Sequence, residues 1–315
     1  MKKNILGMVA TLLLCSCSPS DTPKQSQQQS TSGANTAAIS QSGHYSLIAA
    51  PGQSAQYWDL STHKMLYQWK HDIQTPPHMT AVAISPDDSS AVTADQHQVV
   101  LWNTATGHID AFMHMSSHVL AVSLSTQGQS VLLGLERDKA ELIDLRGKKT
   151  LAVLPHDGQV SAVALSDDGQ FAVTGSHDKT AQYWDLKTKT VLRKWAHSRP
   201  VKTVALSKQQ HWIFTGAAKG EQRVWDTKTG DLILRLDPTS RSSTTALFSP
   251  DEKWLAVGRQ GGRLQLWDLN SQKMLQEWHL PSRRILALGF SPDLHSIYTE
   301  DVSGLFSVWE INTKP

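Results

Sequence analysis

Fourteen histidines offer the most obvious chemistry in this 315-residue sequence, because imidazole binds metals and moves protons near neutral pH. Their spacing points to structure instead. His71, His114, His156 and His197 each close an apolar-x-His pattern, at Trp69-Lys-His71, Phe112-Met-His114, Leu154-Pro-His156 and Trp195-Ala-His197. Recurrence at one interval marks a position in an architecture, not four separate ligand sets. His44, His78, His108, His118 and His211 stand in expected turns or strand ends without a paired Cys, His or Glu, and His177 adjoins Asp178 in one tight turn. The sequence has no H-x-x-x-H helix, C-x-x-C, G-x-S-x-G or phosphate-cradling glycine loop. Gly261-Gly262 reads as a hairpin turn, since no helix follows it. No catalytic residue, metal site or cofactor is expected.

A second pattern could bind anions. Arg199, Arg241 and Arg283 recur at one interval, each eight residues before a serine (Ser207, Ser249, Ser291), where earlier copies of the pattern have Pro77, Ser117 and Gly158. If the interval is one structural unit, three guanidinium groups stand side by side on one loop face. Lys219 and Arg259 fall in or beside turns that should open on that face, and Arg284 extends the arc. Guanidinium grips carboxylate or phosphate with two parallel hydrogen bonds. The alternative is solvated charge partly paired with Glu221, Asp251 or Asp301. The chain as a whole is close to neutral, with 30 Lys+Arg against 28 Asp+Glu, so a global positive field for nucleic acid is excluded.

The interval itself comes from a repeat. Tyr57-Trp58-Asp59-Leu60 recurs as Leu101-Trp102-Asn103-Thr104, Leu142-Ile143-Asp144-Leu145, Tyr183-Trp184-Asp185-Leu186, Val224-Trp225-Asp226-Thr227, Leu266-Trp267-Asp268-Leu269 and Val308-Trp309-Glu310-Ile311. The spacings are 44, 41, 41, 41, 42 and 42 residues. Within a unit an alternating run ends in serine, as in Ala162-Val-Ala-Leu-Ser166, and a turn rich in Asp, Gly and Pro follows. A short strand, a second turn, the Trp-Asp strand and a fourth strand such as Val191-Leu-Arg-Lys-Trp195 complete it. Four short period-2 strands make an antiparallel meander. Such a meander has two apolar faces and two open edges, and radial stacking buries the faces. Trp69, Trp195 and Trp278, each eleven residues after a Trp of the repeat, are expected to pack between units.

These repeats resemble the WD40-repeat β-propellers over about residues 35–312. The resemblance implies an all-β, seven-bladed propeller of four-stranded antiparallel blades, working as a platform for protein–protein interaction. It also implies a hydrogen-bonded tetrad, carried most fully in the fourth blade by His156, Thr174, Asp178 and Trp184. Elsewhere the tetrad is degenerate. At the Asp register Lys219, Gly261 and Ser303 stand in blades 5 to 7, and Ile143 replaces the Trp of blade 3. The last blade has three strands of its own before the chain reaches Pro315. It is left three-stranded, or Lys24 to Ser32 completes it as a clasp.

The N-terminus indicates an address. Lys2 and Lys3 precede a short apolar run from Ile5 to Leu14, which is too short to span a bilayer and reads as a signal peptide. Leu14-Cys15-Ser16-Cys17 resembles the bacterial lipobox, with Cys15 in place of the usual Ala or Ser. That resemblance implies cleavage before Cys17, its lipidation on sulfur and amine, and, from Ser18, sorting to the outer membrane with the body in the periplasm. The two cysteines leave no disulfide framework in the body. Residues 18–34 hold no large apolar residue and read as a flexible tether with a reach of roughly 20–25 Å. The domain plan is therefore a signal peptide at 1–16, a lipidated cysteine and tether at 17–34, and a propeller at 35–312.

The expected function is a membrane-anchored, non-catalytic scaffold, taken to be monomeric, that holds another envelope protein, with an acidic segment as the part gripped. The alternative is binding of envelope polysaccharide or lipid phosphate by the basic arc. An enzyme of the quinoprotein kind is disfavoured. Asp226-Thr-Lys-Thr-Gly230 resembles its repeat only in part, since Leu234 stands where a Trp should follow, and no Glu, Asn and Asp cluster suits calcium.

Overall fold

The computed structural model describes residues 22–52, 54–71, 78–236, 241–282 and 284–312. Seven four-stranded antiparallel sheets form a β-propeller. Blade 1 runs from Thr36 to Trp69, blade 2 from Ala81 to His114, blade 3 from Val119 to Pro155 and blade 4 from Val160 to Ala196. Blade 5 spans Val201 to Arg235, blade 6 Ser243 to His279, and blade 7 begins with three strands between Ile285 and Glu310. Among the described residues no helix is long and apolar enough to cross a membrane.

The recurring residues have local causes. The serine that ends each first strand holds the following turn. Ser166 Oγ donates to Asp168 at 2.6 Å and accepts from the Phe171 N–H at 2.9 Å, and Ser249 and Ser291 repeat the arrangement. The Asp after each Trp closes the next turn: Asp185 Oδ1 accepts from the N–H groups of Lys187 and Thr188 at 2.8 and 2.9 Å. Both are side-chain mimics of a backbone turn, which is why short polar residues recur there.

Alternation then decides the packing. In blade 4, Ala172, Trp184 and Leu186 turn to Leu132, Leu142 and Leu154 of blade 3, while Val173 and Tyr183 turn to Ile213 and Trp225 of blade 5. Each blade thus buries both faces against neighbours. The tryptophans near the ends of fourth strands lie in these interfaces. Trp69 stacks on Trp102 of blade 2 at 5.0 Å between ring centroids, Trp195 on Trp225 of blade 5 at 5.2 Å, and Trp278 is buried against blade 7.

Gln25–Gln28 forms the fourth strand of blade 7, antiparallel to Leu305–Glu310, with Gln25 opposite Val308 and Gln28 opposite Leu305. Of the two closures open from the sequence, the clasp is the one present. The tether expected to run to residue 34 is correspondingly shorter, since residues 25–28 belong to the propeller. An all-polar segment can be a strand here because its backbone completes a free edge. Its side chains also find polar partners on blade 1: Gln27 Nε2 donates to the His63 carbonyl at 3.0 Å, and Gln29 Oε1 accepts from Ser46 Oγ at 2.8 Å. Burial of apolar surface, the only gain weighed from the sequence, is not what orders it.

Candidate interaction face

The tetrad expected in blade 4 comes together. Trp184 Nε1 donates to Thr174 Oγ1 at 2.9 Å, Thr174 Oγ1 lies 2.7 Å from His156 Nε2, and His156 Nδ1 lies 2.8 Å from Asp178 Oδ2. One proton arrangement satisfies every member: the threonine hydroxyl donates to Nε2, and a neutral imidazole donates from Nδ1. Burial pushes the His156 pKa below its ordinary value despite the pull of Asp178. Burial opposes ionisation of Asp178 too, but hydrogen bonds from Thr180, His156 and the Asp157 N–H outweigh it and hold the carboxyl below the usual range. The network ties the loop before blade 4 to the turn between its second and third strands.

Blade 2 holds a second complete tetrad that the spacing concealed. His71 Nδ1 lies 3.0 Å from Asp95, His71 Nε2 lies 2.7 Å from Thr93 Oγ1, and Trp102 Nε1 donates to Thr93 at 2.8 Å. Asp95 precedes Trp102 by seven residues, where Asp178 precedes Trp184 by six, so a fixed register misses it. Blades 5 and 7 keep only the indole–threonine bond, Trp225 to Thr215 at 2.8 Å and Trp309 to Thr299 at 3.0 Å. In blade 5 neither ring nitrogen of the buried His197 has a hydrogen-bond partner, and burial and the Arg223 charge hold its pKa well down.

The loops between blades and the turns between second and third strands share one face. Lys219 N donates to Ser242 Oγ at 3.0 Å, Ser198 N to Glu221 at 2.9 Å, and Arg241 Nη1 to the Gln260 carbonyl at 3.4 Å. Arg199, Lys219, Arg241 and Arg284 are exposed on it. The carboxylates that could have neutralised them are engaged elsewhere. Glu221 binds Ser198 and Arg223, and Asp301 is buried and holds Ser303; Asp251, with Ser249 and Lys253, stands in the turn between first and second strands, at the opposite ends of the blades. Arg283 lies outside the described residues.

Arg259 does not belong to the arc. It is fully buried, and its Nε and Nη2 donate to Gln222 Oε1 of blade 5 at 3.2 and 2.9 Å. It ends the strand Trp254–Arg259, and alternation puts it on the same face as Leu255 and Val257, which pack against blade 5. Position beside a turn suggested exposure; strand parity decided otherwise.

Sequence reasoning also missed Lys202, which faces the propeller axis. A channel of about 320 Å³ runs there, lined by the innermost strands, with Lys202 and Arg284 as its cations beside Thr36, Thr80, Thr203 and Thr244. Lys202 Nζ meets His177 Nε2, and burial and that ammonium depress the His177 pKa. Lys202 stands in a first strand, where period-2 reading assigns only wall or core. Among the described residues no group of three His, Cys, Asp or Glu is placed to hold a metal ion.

The class the fold defines is a propeller of seven meanders with indole–threonine–histidine networks, and two stretches of the chain match WD40 repeats. The family "WD domain, G-beta repeat" matches residues 148–185 and 233–268, within blades 3–4 and 5–6. Among solved structures the chain is similar to one described as the crystal structure of the mitotic checkpoint complex, at 17% identity, covering 99% of each chain with a TM-score of 0.82. At that identity the likeness speaks for the fold alone. A comparison with curated proteins finds no match. WD40 propellers are typically non-catalytic scaffolds that bind other proteins.

Proposed function

We propose that this chain is a non-catalytic scaffold, tethered to the bacterial outer membrane through lipidated Cys17, that holds an acidic segment of another envelope protein on the face of blades 5–7. The observation that carries this reading is the arc of exposed Arg199, Lys219, Arg241 and Arg284, where the neighbouring Glu221 and Asp301 are already bound to other groups. A rigid wheel with cations held at loop positions is suited to gripping carboxylates without chemistry. The test is binding of a fluorescent poly-glutamate peptide to the soluble body. Replacing Arg199, Lys219 and Arg241 together by Ala is expected to weaken binding about tenfold, and raised salt to weaken the wild type similarly. Equal affinity of the two proteins removes the reading. If phosphatidylglycerol vesicles or lipopolysaccharide bind and the peptide does not, the ligand is envelope phosphate instead.

The anchor is tested separately. Cys17→Ser is expected to move the protein from the membrane pellet to the soluble periplasmic fraction and to abolish palmitate labelling, because lipid chains supply the attachment. A variant that stays in the pellet in high salt rules out the lipid anchor.

A further inference from the structure

The seam between blades 7 and 1 contains a residue that no other seam has. Three residues beyond the one that pairs with the repeat's Trp (with Ile143 in blade 3), the second strands carry Gly134, Gly175, Gly216 and Gly258, or Ala49 and Ala94. The next blade explains this preference. A Cβ on Gly134 would lie 2.6 Å from the Val160 carbonyl, and one on Gly175 2.7 Å from the Val201 side chain. Blade 7 has Glu300 there, opposite Ala287 and Phe306.

Glu300 is fully buried, and neither carboxyl oxygen has a hydrogen-bond partner. The blade 1 hydroxyl that bears on it, Ser46, donates to Gln29 Oε1 at 2.8 Å instead, and Gln29 Nε2 is itself buried and unpartnered. Gln29 directly follows the clasp strand, and its N–H donates to the Gly304 carbonyl at 2.9 Å. Farther along, the seam is a groove of about 530 Å³ between Gln25 and Lys24 on one side and His44 and His63 on the other. Among the described residues the clasp is held by few side-chain contacts: Gln25 and Gln27 to His63, Gln28 to the Ser303 carbonyl at 2.7 Å, Gln29 to Ser46, and Lys24 to Glu310 at 3.8 Å.

We infer that the Glu300 carboxyl is a proton-operated latch on this seam, keeping the N-terminal strand in place while it carries its proton and releasing it on ionisation. A neutral carboxyl can sit beside Ser46 and Gln29 at the cost of unmade hydrogen bonds; a carboxylate there has no cation among the described residues. The charged group beside it is Asp301 on its own strand, which repels a second negative charge. Burial, and then that repulsion, push the Glu300 pKa well above the glutamate range. The unfolded chain, with an ordinary glutamate near 4.5, then loses its proton first as pH rises. Above that value the unfolded state binds fewer protons than the folded one, so stability falls with rising pH until the folded carboxyl ionises. His63, His44 and Asp293 also line the groove and are shared by the variants below.

The test compares the soluble wild-type body with Glu300→Gln and Glu300→Gly from pH 5 to 8.5. In the wild type the unfolding constant is expected to rise with pH relative to Glu300→Gln, by up to about tenfold per unit, and to level off once the folded carboxyl ionises. Tryptic cleavage after Lys24, normalised to Glu300→Gln at each pH, should accelerate with it. Glu300→Gly carries the residue of the other blades and serves where Gln fails to fold. Parallel pH profiles for wild type and both variants overturn the latch, as does cleavage after Lys24 that is indifferent to Glu300. This result is independent of peptide binding by the basic face.

Discussion

Thr174→Val is expected to cost about 2–5 kcal/mol of folding stability, more than any surface change in this molecule. The substitution keeps shape and volume and removes only the hydroxyl. That hydroxyl serves two buried partners at once, Trp184 Nε1 at 2.9 Å and His156 Nε2 at 2.7 Å. Each would be left unpaired in a site where Thr174 itself has no exposure, and a buried unsatisfied group costs about 1–3 kcal/mol. Against a total stability of roughly 5–15 kcal/mol, the loss is large. Urea denaturation measures it. The Trp184→Phe change removes one donor and leaves the Thr174–His156 bond, so it should cost less in hydrogen bonding, and the double variant should be less than additive. Additive costs would show that the network does not act as a unit.

Removing the clasp is the second large perturbation. A body that begins at Gly33 loses the four-residue ladder of Gln25–Gln28, the bonds from the Lys24 N–H to the Val308 carbonyl and from the Gln29 N–H to Gly304, and the Gln29–Ser46 bond. With each such bond contributing about 1 kcal/mol net, the cost is on the order of 5–7 kcal/mol. The free edge of Leu305–Glu310 should also make the truncated body self-associate, because an unpaired strand invites another. Calorimetry and size-exclusion chromatography read the two effects, and a synthetic peptide of residues 22–32 should reverse both. A truncated body as stable and monodisperse as one beginning at Thr22 would show that the clasp is ornamental.

The wheel was legible because its repeat signals are local and obligatory. Trp184-Asp185 recurs since the indole fills a blade interface and the aspartate closes a turn, and its variants Trp102-Asn103 and Ile143-Asp144 keep both jobs. The blade 2 tetrad was not legible, since Asp95 reaches His71 from a turn whose spacing differs by one residue and geometry tolerates what a register does not. Arg259 was misplaced for the opposite reason: its position in the repeat was right, but the parity of its strand turns it inward. The clasp was half legible. Composition said that Gln25–Gln28 has nothing apolar to bury, and only the fold supplies an edge that needs a backbone. Lys202 and Glu300 are single exceptions within regular patterns, and one copy of a repeat cannot show which exceptions meet across a seam.

The pairing of Gln25 with Val308 joins positions about 280 residues apart, which places ring closure among the slowest steps of acquiring the native state. Six blades can form from neighbouring residues as short hairpins, but the seventh must wait for a long loop to close, an entropic cost that local hairpins avoid. Until then the growing wheel is an open arc whose two end faces are both exposed. A nascent chain of this design therefore depends most on protection from its own kind at the last moment of assembly, when everything but four glutamine- and serine-bearing residues is already in place.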